Sequence, residues 1–167
     1  MARRLLLWLS CVALLALAGC GFGLRQPASY AFSSLYSSVA PTSPLGIELQ
    51  RQLQAGGQLR YITDAAQLKE AEVLLDVFGE QRTKTVVGVS ATGQVREFQL
   101  RLTLKFRLRT QLGKELIPET ELVQQRTMSY SEAFALSKEA EEAMLYRNMQ
   151  SDMVQQIARR LASVQKL

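Results

Sequence analysis

The side chains that could perform chemistry in this chain are few in kind. Among its 167 residues there is no histidine, and the two cysteines are Cys11 and Cys20. Catalysis by Ser-His or Cys-His pairs is therefore excluded, and so are metal sites built from His and Cys ligands. The side chains that remain available for chemistry are carboxylates, lysines, serines and tyrosines.

Three carboxylates lie close together in the sequence, at Glu139, Glu141 and Glu142. Paired carboxylates can perform acid-base chemistry of the glycosidase kind, which keeps open a hydrolase of cell-wall sugars. They fall, however, in the first turns of a predicted helix, where acidic side chains favour the helix dipole and solubility. We therefore predict no enzyme, no catalytic residue, no metal site and no cofactor.

The densest cationic pattern is a row of four basic side chains, here called the basic row: Arg101, Lys105, Arg107 and Arg109. From Glu97 to Arg109 every even position is apolar and every odd position is polar, which is the period of a strand. The row therefore lies on one face of one strand and spans about 26 Å at about 3.3 Å per residue. It suits phosphates or sugar acids. The alternative is a solvated face that acids of a neighbouring strand partly neutralise.

The apolar side of this strand requires a cover. Burying its six large side chains, from Phe98 to Leu108, contributes about 9 to 18 kcal/mol. Fixing thirteen backbone positions costs about 13 to 26 kcal/mol. The strand is therefore not stable alone, and helices have to pack on its apolar side.

Two helices are indicated. The first begins at Ser43 and Pro44, because serine caps helices and proline suits their first position, and it ends at Gly56-Gly57. The second is predicted to open at Ser129, because Ser129-Tyr130-Ser131-Glu132 matches a capping box. Its wide apolar stripe comprises Leu136, Ala140, Ala143, Tyr146, Met153, Ile157, Leu161 and Val164.

The remaining strands have weaker patterns. We predict them within Tyr30 to Val39, within Leu59 to Thr63, from Val73 to about Val87, and from about Glu121 to Met128. Pro118 suggests either the beginning of the last strand or a sheet edge. The order of elements predicts an α+β domain in which two helices pack on one face of a three- or four-stranded mixed sheet.

The start of the chain has the layout of a secretory signal. Arg3 and Arg4 precede an apolar run, Leu5 to Leu17, that is shorter than the about 20 residues of a membrane span. Leu17-Ala18-Gly19-Cys20 resembles the lipobox of bacterial lipoproteins, in which the cysteine is lipidated and becomes the first mature residue. We predict removal of residues 1–19 and a single domain over residues 20–167, held to a bilayer by acyl chains on Cys20. An ordinary signal peptide with an accidental cysteine is the alternative.

Three segments together resemble the LptE family of lipopolysaccharide-assembly lipoproteins. They are Cys20-Gly21-Phe22-x-Leu24-Arg25, the Gly93-Gln94 turn before the long strand, and Ala135-Leu136-x-Lys138-Glu139-x-Glu141 followed by Met149, Asp152, Ile157 and Arg160-Leu161. The resemblance implies a protein of the outer membrane, on its periplasmic side, that is not an enzyme. It implies a partner, the LptD β-barrel, whose assembly the protein supports and whose lumen it plugs. It also implies binding of lipopolysaccharide on its way to the cell surface.

Under this resemblance the basic row becomes a candidate lipopolysaccharide site. Lys138 matches the lysine of the family's helix segment and is a second candidate, although Glu141 and Glu142 are spaced to pair with it. Some members of the family carry a basic residue at the turn position that Ala91 occupies here. A lipopolysaccharide contact at this turn is therefore not carried over to this chain.

A candidate contact with the barrel wall lies on the otherwise polar flank of the last helix, at Phe134, Leu145 and Met149. Cover by a loop of the same chain is the alternative.

A different interpretation of the whole protein is an envelope adaptor that binds another periplasmic or membrane complex through the same anchor and strand. The formal net charge of +5 includes Arg3 and Arg4 of the signal, and the mildly basic remainder does not indicate a nucleic-acid partner.

Overall fold

The alternating apolar positions between Phe98 and Leu108 form the floor of the hydrophobic core. In the computed structural model, which describes residues 29–166, the last five of these side chains are at most 1% exposed: Leu100, Leu102, Leu104, Phe106 and Leu108. The predicted signal peptide, the lipidation site at Cys20 and the motif that follows it lie outside the described residues.

Five strands and two α-helices make up the described part of the chain. Their bounds are β1 Ser34–Ser37, α1 Pro44–Gln54, β2 Arg60–Ile62, β3 Val73–Val89, β4 Val95–Thr110, β5 Glu115–Ser129 and α2 Ala135–Ala162. Two short 3-10 helices, Ala65–Glu70 and Glu132–Phe134, precede β3 and α2.

The strands form one sheet in the order β2-β1-β3-β4-β5. β1 is parallel to β2 and β3, whereas the other neighbours are antiparallel. Because β1 pairs with β3 only from Val73 to Leu75, the sheet has a short five-stranded base and a long three-stranded extension of β3, β4 and β5. Both α-helices share one core with a single face of this sheet. The predicted α+β class is confirmed, with five strands instead of three or four because both short strands, β1 and β2, pair.

Helix α1 begins and ends where the sequence predicts. The Ser43 hydroxyl accepts a hydrogen bond from the Gly46 amide at 3.0 Å, and Pro44 occupies the first turn. The apolar side chains that recur at four-residue spacing are buried, namely Leu45, Leu49 and Leu53. Gly57 has a φ of +70° after the last turn, a conformation that glycine adopts without a steric penalty.

The predicted capping box at the start of the last helix is wrong. Ser129 is the last residue of β5 and pairs with Glu97 of β4, so its backbone belongs to the sheet. The chain passes through a 3-10 turn, and α2 begins at Ala135 without a side-chain cap. Leu136, predicted in the buried stripe, is 84% exposed. Burial along α2 begins only at Tyr146, because the side of β3 beneath the earlier turns is polar.

A β-bulge in β3 explains that polar side. One extra residue of β3 lies between Phe78 and Gln81, where Gly79 has a φ of +68°. Residues opposite each other in a sheet share a face. Beyond the bulge the β3 residues that face the helices, with their β4 partners, are therefore Arg82 opposite Leu102, Lys84 opposite Leu100 and Val86 opposite Phe98.

Strand β5 lies at the sheet edge, as Pro118 suggested, and begins at Glu115 instead of Glu121. Its pairing with β4 shifts register around this proline, which has no amide hydrogen to donate. Among the described helices, none combines the length and the apolar content that crossing a bilayer requires.

The position of the core predicts that replacing two different phenylalanines by alanine changes the free energy of unfolding by very different amounts. We expect Phe106→Ala to lower the free energy of unfolding by about 3 to 5 kcal/mol, because Phe106 is fully buried and its removal leaves a cavity. Phe134→Ala is the matched control, since Phe134 is 64% exposed, and we expect a change within about 0.5 kcal/mol. Urea denaturation measures both. Equal losses would contradict the position of the core.

Candidate functional site

The basic row lies on the open face of β4, opposite to the face that the helices cover. Two acidic side chains of the neighbouring strands form ion pairs with three of its four members, and one of these acids is shared by two arginines. Arg107 Nε and Arg109 Nε both lie 2.9 Å from Asp76 Oδ2 of β3, and Lys105 Nζ lies 3.1 Å from Glu119 Oε1 of β5. Among the described residues Arg101 forms no ion pair and is exposed, so it is the member most available to a ligand.

Asp76 is held in its ionised form by the two arginines. Burial by itself raises the pKa of this carboxyl, but hydrogen bonds from Arg109 and Arg107, together with their charges, outweigh burial and lower the pKa below its ordinary value of 3.8. The Asp76 side chain is 18% exposed, so its pairing is better shielded from water than most surface ion pairs. Two members of the basic row therefore contribute to the stability of the sheet.

Lys138 does not join the basic row, because it lies on α2 and hence on the helix side of the sheet. Its Nζ lies 2.8 Å from Glu141 Oε2 and 3.0 Å from the Ser129 hydroxyl, and its side chain is 17% exposed. Pairing with Glu141, the alternative indicated by spacing, is therefore present. Glu142 pairs with Lys84 instead.

The candidate contact on the last helix requires a correction. Met149 is fully buried, so the prediction that it contacts a partner is wrong, and Leu145 is half-buried against the same core. The cause is helix α1, which packs on this part of α2: the Gln150 amide donates to Glu48 at 3.1 Å, and the Ser151 hydroxyl also bonds to Glu48.

Phe134, by contrast, is 64% exposed at the start of α2. Two further large apolar side chains of these first turns are exposed, Leu136 and Met144. We call these three residues the apolar helix start. The sequence pattern missed Leu136 and Met144 because helical periodicity indicates which residues share a face, but not where the sheet beneath that face becomes polar.

A cleft of about 610 Å³ separates β3 from the first half of α2, and we call it the β3–α2 cleft. Its lining comprises Arg82, Lys84, Glu139, Glu142, Ala143 and Tyr146. The sequence analysis missed this site because it treated β3 as regular and so did not place its cations on the helix side. The available signal was Gly79, since a glycine inside a strand pattern often marks a bulge.

The side chains of this cleft are closely coupled. Lys84 Nζ lies 2.6 Å from Glu142 Oε2 and 4.3 Å from the centroid of the Phe98 ring. Arg82 Cζ lies 5.3 Å from the centroid of the Tyr146 ring. Burial, and secondly the negative charge of Glu142, raise the pKa of Tyr146, whose hydroxyl donates to the Thr83 carbonyl at 2.9 Å.

Solved structures similar to this chain include bacterial lipoproteins. The chain is similar to lipoprotein B from Nitrosomonas europaea, with 30% identity, a TM-score of 0.71 and coverage of 86% of this chain and 91% of that one. The fold is also that of rare lipoprotein B from Shewanella oneidensis, with 21% identity, a TM-score of 0.64 and coverage of 78% and 92%. An α+β domain with this sheet order and helix arrangement therefore places the protein in the class of envelope lipoproteins.

Comparison of sequences identifies the family within that class. The family model for LptE, described as lipopolysaccharide-assembly, matches residues 32–161. A relative from Yersinia pestis named LPS-assembly lipoprotein LptE is 30% identical over 98% of this chain and 78% of its own length. One of the same name from Pectobacterium atrosepticum is 28% identical over 98% and 88%. The chain belongs to the LptE family, which is a family of assembly lipoproteins and not of enzymes.

The lowered pKa of Asp76 makes part of the stability depend on pH. The contribution of Asp76 is fully present above the pKa of this group in the unfolded chain and is lost as the pH falls through the lower folded-state pKa. We expect Asp76→Asn to lower the free energy of unfolding at pH 7 by about 1.5 to 3 kcal/mol, because it removes hydrogen bonds between charged groups.

The difference in the free energy of unfolding between Asp76→Asn and the original protein should shrink as the pH is lowered below about 4. Denaturation by urea at a series of pH values measures it. Asp152→Asn is the control, because Asp152 and Arg126 form an exposed pair that contributes about 0 to 1 kcal/mol. A difference that stays constant with pH would contradict the role assigned to the Asp76 carboxylate.

Proposed function

We propose that this lipoprotein supports assembly of the LptD barrel, plugs its lumen and binds lipopolysaccharide during its transport to the cell surface. The observation that carries the proposal is the extent of the family match: the LptE model covers residues 32–161, nearly the whole described domain. We further propose that acyl chains on Cys20 hold the protein to the outer membrane on its periplasmic side. The charged start, apolar run and Gly19-Cys20 pair support this anchor.

The open face of the sheet supports a place inside a barrel. Most of its side chains are charged or polar, including the basic row and Asp76, although Phe78 and Val123 are 38% and 39% exposed on the same face. Such a surface favours contact with water over contact with lipid. The interior of large outer-membrane barrels is polar and hydrated. At about 3.3 Å per residue, the 17 residues of β3 extend about 55 Å, which exceeds the about 40 to 45 Å of a bilayer with its headgroups. A domain of this length and polarity suits occupancy of a lumen.

The apolar helix start supports a contact with the barrel wall. Phe134, Leu136 and Met144 are 64%, 84% and 48% exposed. Phe134 and Leu136 line one surface depression where α2 begins, and exposed apolar side chains that lie together often mark a surface that another protein covers. An envelope adaptor for a different complex would use a similar surface, so the identity of the copurifying protein distinguishes the two functions.

Purification of the lipoprotein from solubilised outer membranes tests the partner. We expect a large barrel protein in stoichiometric amount with the original chain, and much less with Phe134→Ser, Leu136→Ser, because the double variant makes the apolar helix start polar. Leu112→Ser is the matched control, since Leu112 is 97% exposed in the β4–β5 turn at the other end of the sheet. A different stoichiometric partner would favour the adaptor, and an unchanged yield with the double variant would remove these residues from the contact.

Replacement of Arg101, Lys105 and Arg107 together by Ser tests the basic row. We expect lipopolysaccharide affinity to fall by about three- to tenfold, a modest effect because Lys105 and Arg107 already have acidic partners. The domain should remain folded, since Arg109 still pairs with Asp76. Isothermal titration with purified lipopolysaccharide gives the affinity, and circular dichroism checks the fold. An unchanged affinity would exclude the basic row from the lipopolysaccharide site.

A further inference from the structure

The bulge at Gly79 changes which side chains of β3 face the helices. Before it, Val73, Leu75 and Val77 are opposite β4 residues of the core face. Without the extra residue, the alternation would turn Gln81, Thr83 and Thr85 toward the helices and Arg82 and Lys84 toward the open face. The bulge therefore places two cations beside a helix, above a floor of fully buried leucines. Bulges that re-aim side chains in this way are common next to functional sites.

The two cations are well placed to bind one anionic group. Residues two apart on one strand face are separated by about 6.6 Å, so a single phosphate can contact both. Lys84 lies over the Phe98 ring and Arg82 over the Tyr146 ring, which removes part of the surrounding water. The side chains of Arg82 and Lys84 remain 49% and 36% exposed, so a ligand can reach them. Arg82 pairs with Glu80 and Lys84 pairs with Glu142, and Glu139 also lines the cleft.

Beyond the lining of the cleft, the next pair of residues on the helix side of the sheet is apolar. Val86, the next β3 residue on the helix side, is 45% exposed, and its β4 partner is Phe98. A ligand that carries a phosphate beside an acyl chain or another apolar group would match both parts. An inorganic anion would use only the cations.

We propose that the β3–α2 cleft binds the phosphate of an amphiphile through Arg82 and Lys84, and that Glu142 occupies Lys84 until the phosphate displaces it. This inference deepens the proposed function, since a phosphorylated glycolipid is one source of such a group and a phospholipid headgroup is the other. The Glu142 side chain is 24% exposed, so the displaced carboxylate can turn to water. The cleft is on the opposite side of the sheet from the basic row, and the two sites are therefore separable by mutation.

Binding of three probes to the complete lipoprotein in detergent tests this proposal. The probes are purified lipopolysaccharide, the same material after removal of its phosphates, and phosphatidylglycerol micelles. We expect Arg82→Ser, Lys84→Ser to weaken binding of a phosphorylated probe by about tenfold, and Glu142→Gln to strengthen it by about two- to fivefold because Lys84 is released. Neither change should affect the dephosphorylated probe.

The other edge of α2 offers matched controls. Arg126 of β5 also faces the helices and pairs with Asp152 at 2.8 Å, with 43% and 45% of the two side chains exposed. Arg126→Ser and Asp152→Asn should leave every affinity unchanged. Misfolding cannot produce the gain expected with Glu142→Gln, since an unfolded protein would lose affinity, and circular dichroism checks the fold of Arg82→Ser, Lys84→Ser.

The outcomes separate this inference from the proposed function. Lipopolysaccharide binding that is indifferent to its phosphates and to Arg82→Ser, Lys84→Ser would overturn the inference and leave the proposed function standing. Binding of phosphatidylglycerol alone, with the expected dependence on both variants, would support the cleft and contradict lipopolysaccharide as its ligand. Failure of the original protein to bind any phosphorylated probe would overturn the cleft and the lipopolysaccharide part of the proposed function together.

Discussion

The burial of one face of β4 beneath helix α2 is the constraint on which the rest of the structure depends. Five β4 side chains of this face are almost completely inaccessible to water, and Met149, Met153, Ile157 and Leu161 of α2 are as well. At about 1.5 to 3 kcal/mol for each large apolar side chain, no other set of contacts in the described chain approaches this contribution. Helix α1 closes the core from the side, and its Glu48 fixes the two helices relative to each other through Gln150 and Ser151.

The same alternation that builds the core also determines the other face. Because successive side chains of a strand point to opposite sides, the burial of the even positions of β4 from Leu100 to Leu108 directs the odd positions between them outward. An uncovered sheet face has to be polar, and here it carries cations at close spacing, which repel one another unless anions lie between them. Asp76 supplies that anion within the sheet.

The sequence predicted what depends on local pattern and left out what depends on pairing. The ends of α1, the period of β4 and the edge position of Pro118 each follow from chemistry within a few residues, and each is confirmed. Three predictions were wrong or incomplete because they depend on partners far away in the chain. They are the number of strands, the capping box at Ser129 and the exposure of Met149 to a partner. The acids that neutralise the basic row were expected as an alternative, but only strand register shows that Asp76 lies opposite Arg107.

The β3–α2 cleft raises the question of why charged residues occupy a position where apolar ones would extend the core. The partly exposed ion pair between Lys84 and Glu142 contributes about 0 to 1 kcal/mol, so it adds little to the free energy of folding. A bulge is also needed to bring these cations to the helix side, and it leaves a residue of β3 without a partner. Stability therefore does not account for the arrangement. The proposed phosphate ligand would account for it, because charges that add little to the folded state would then add affinity.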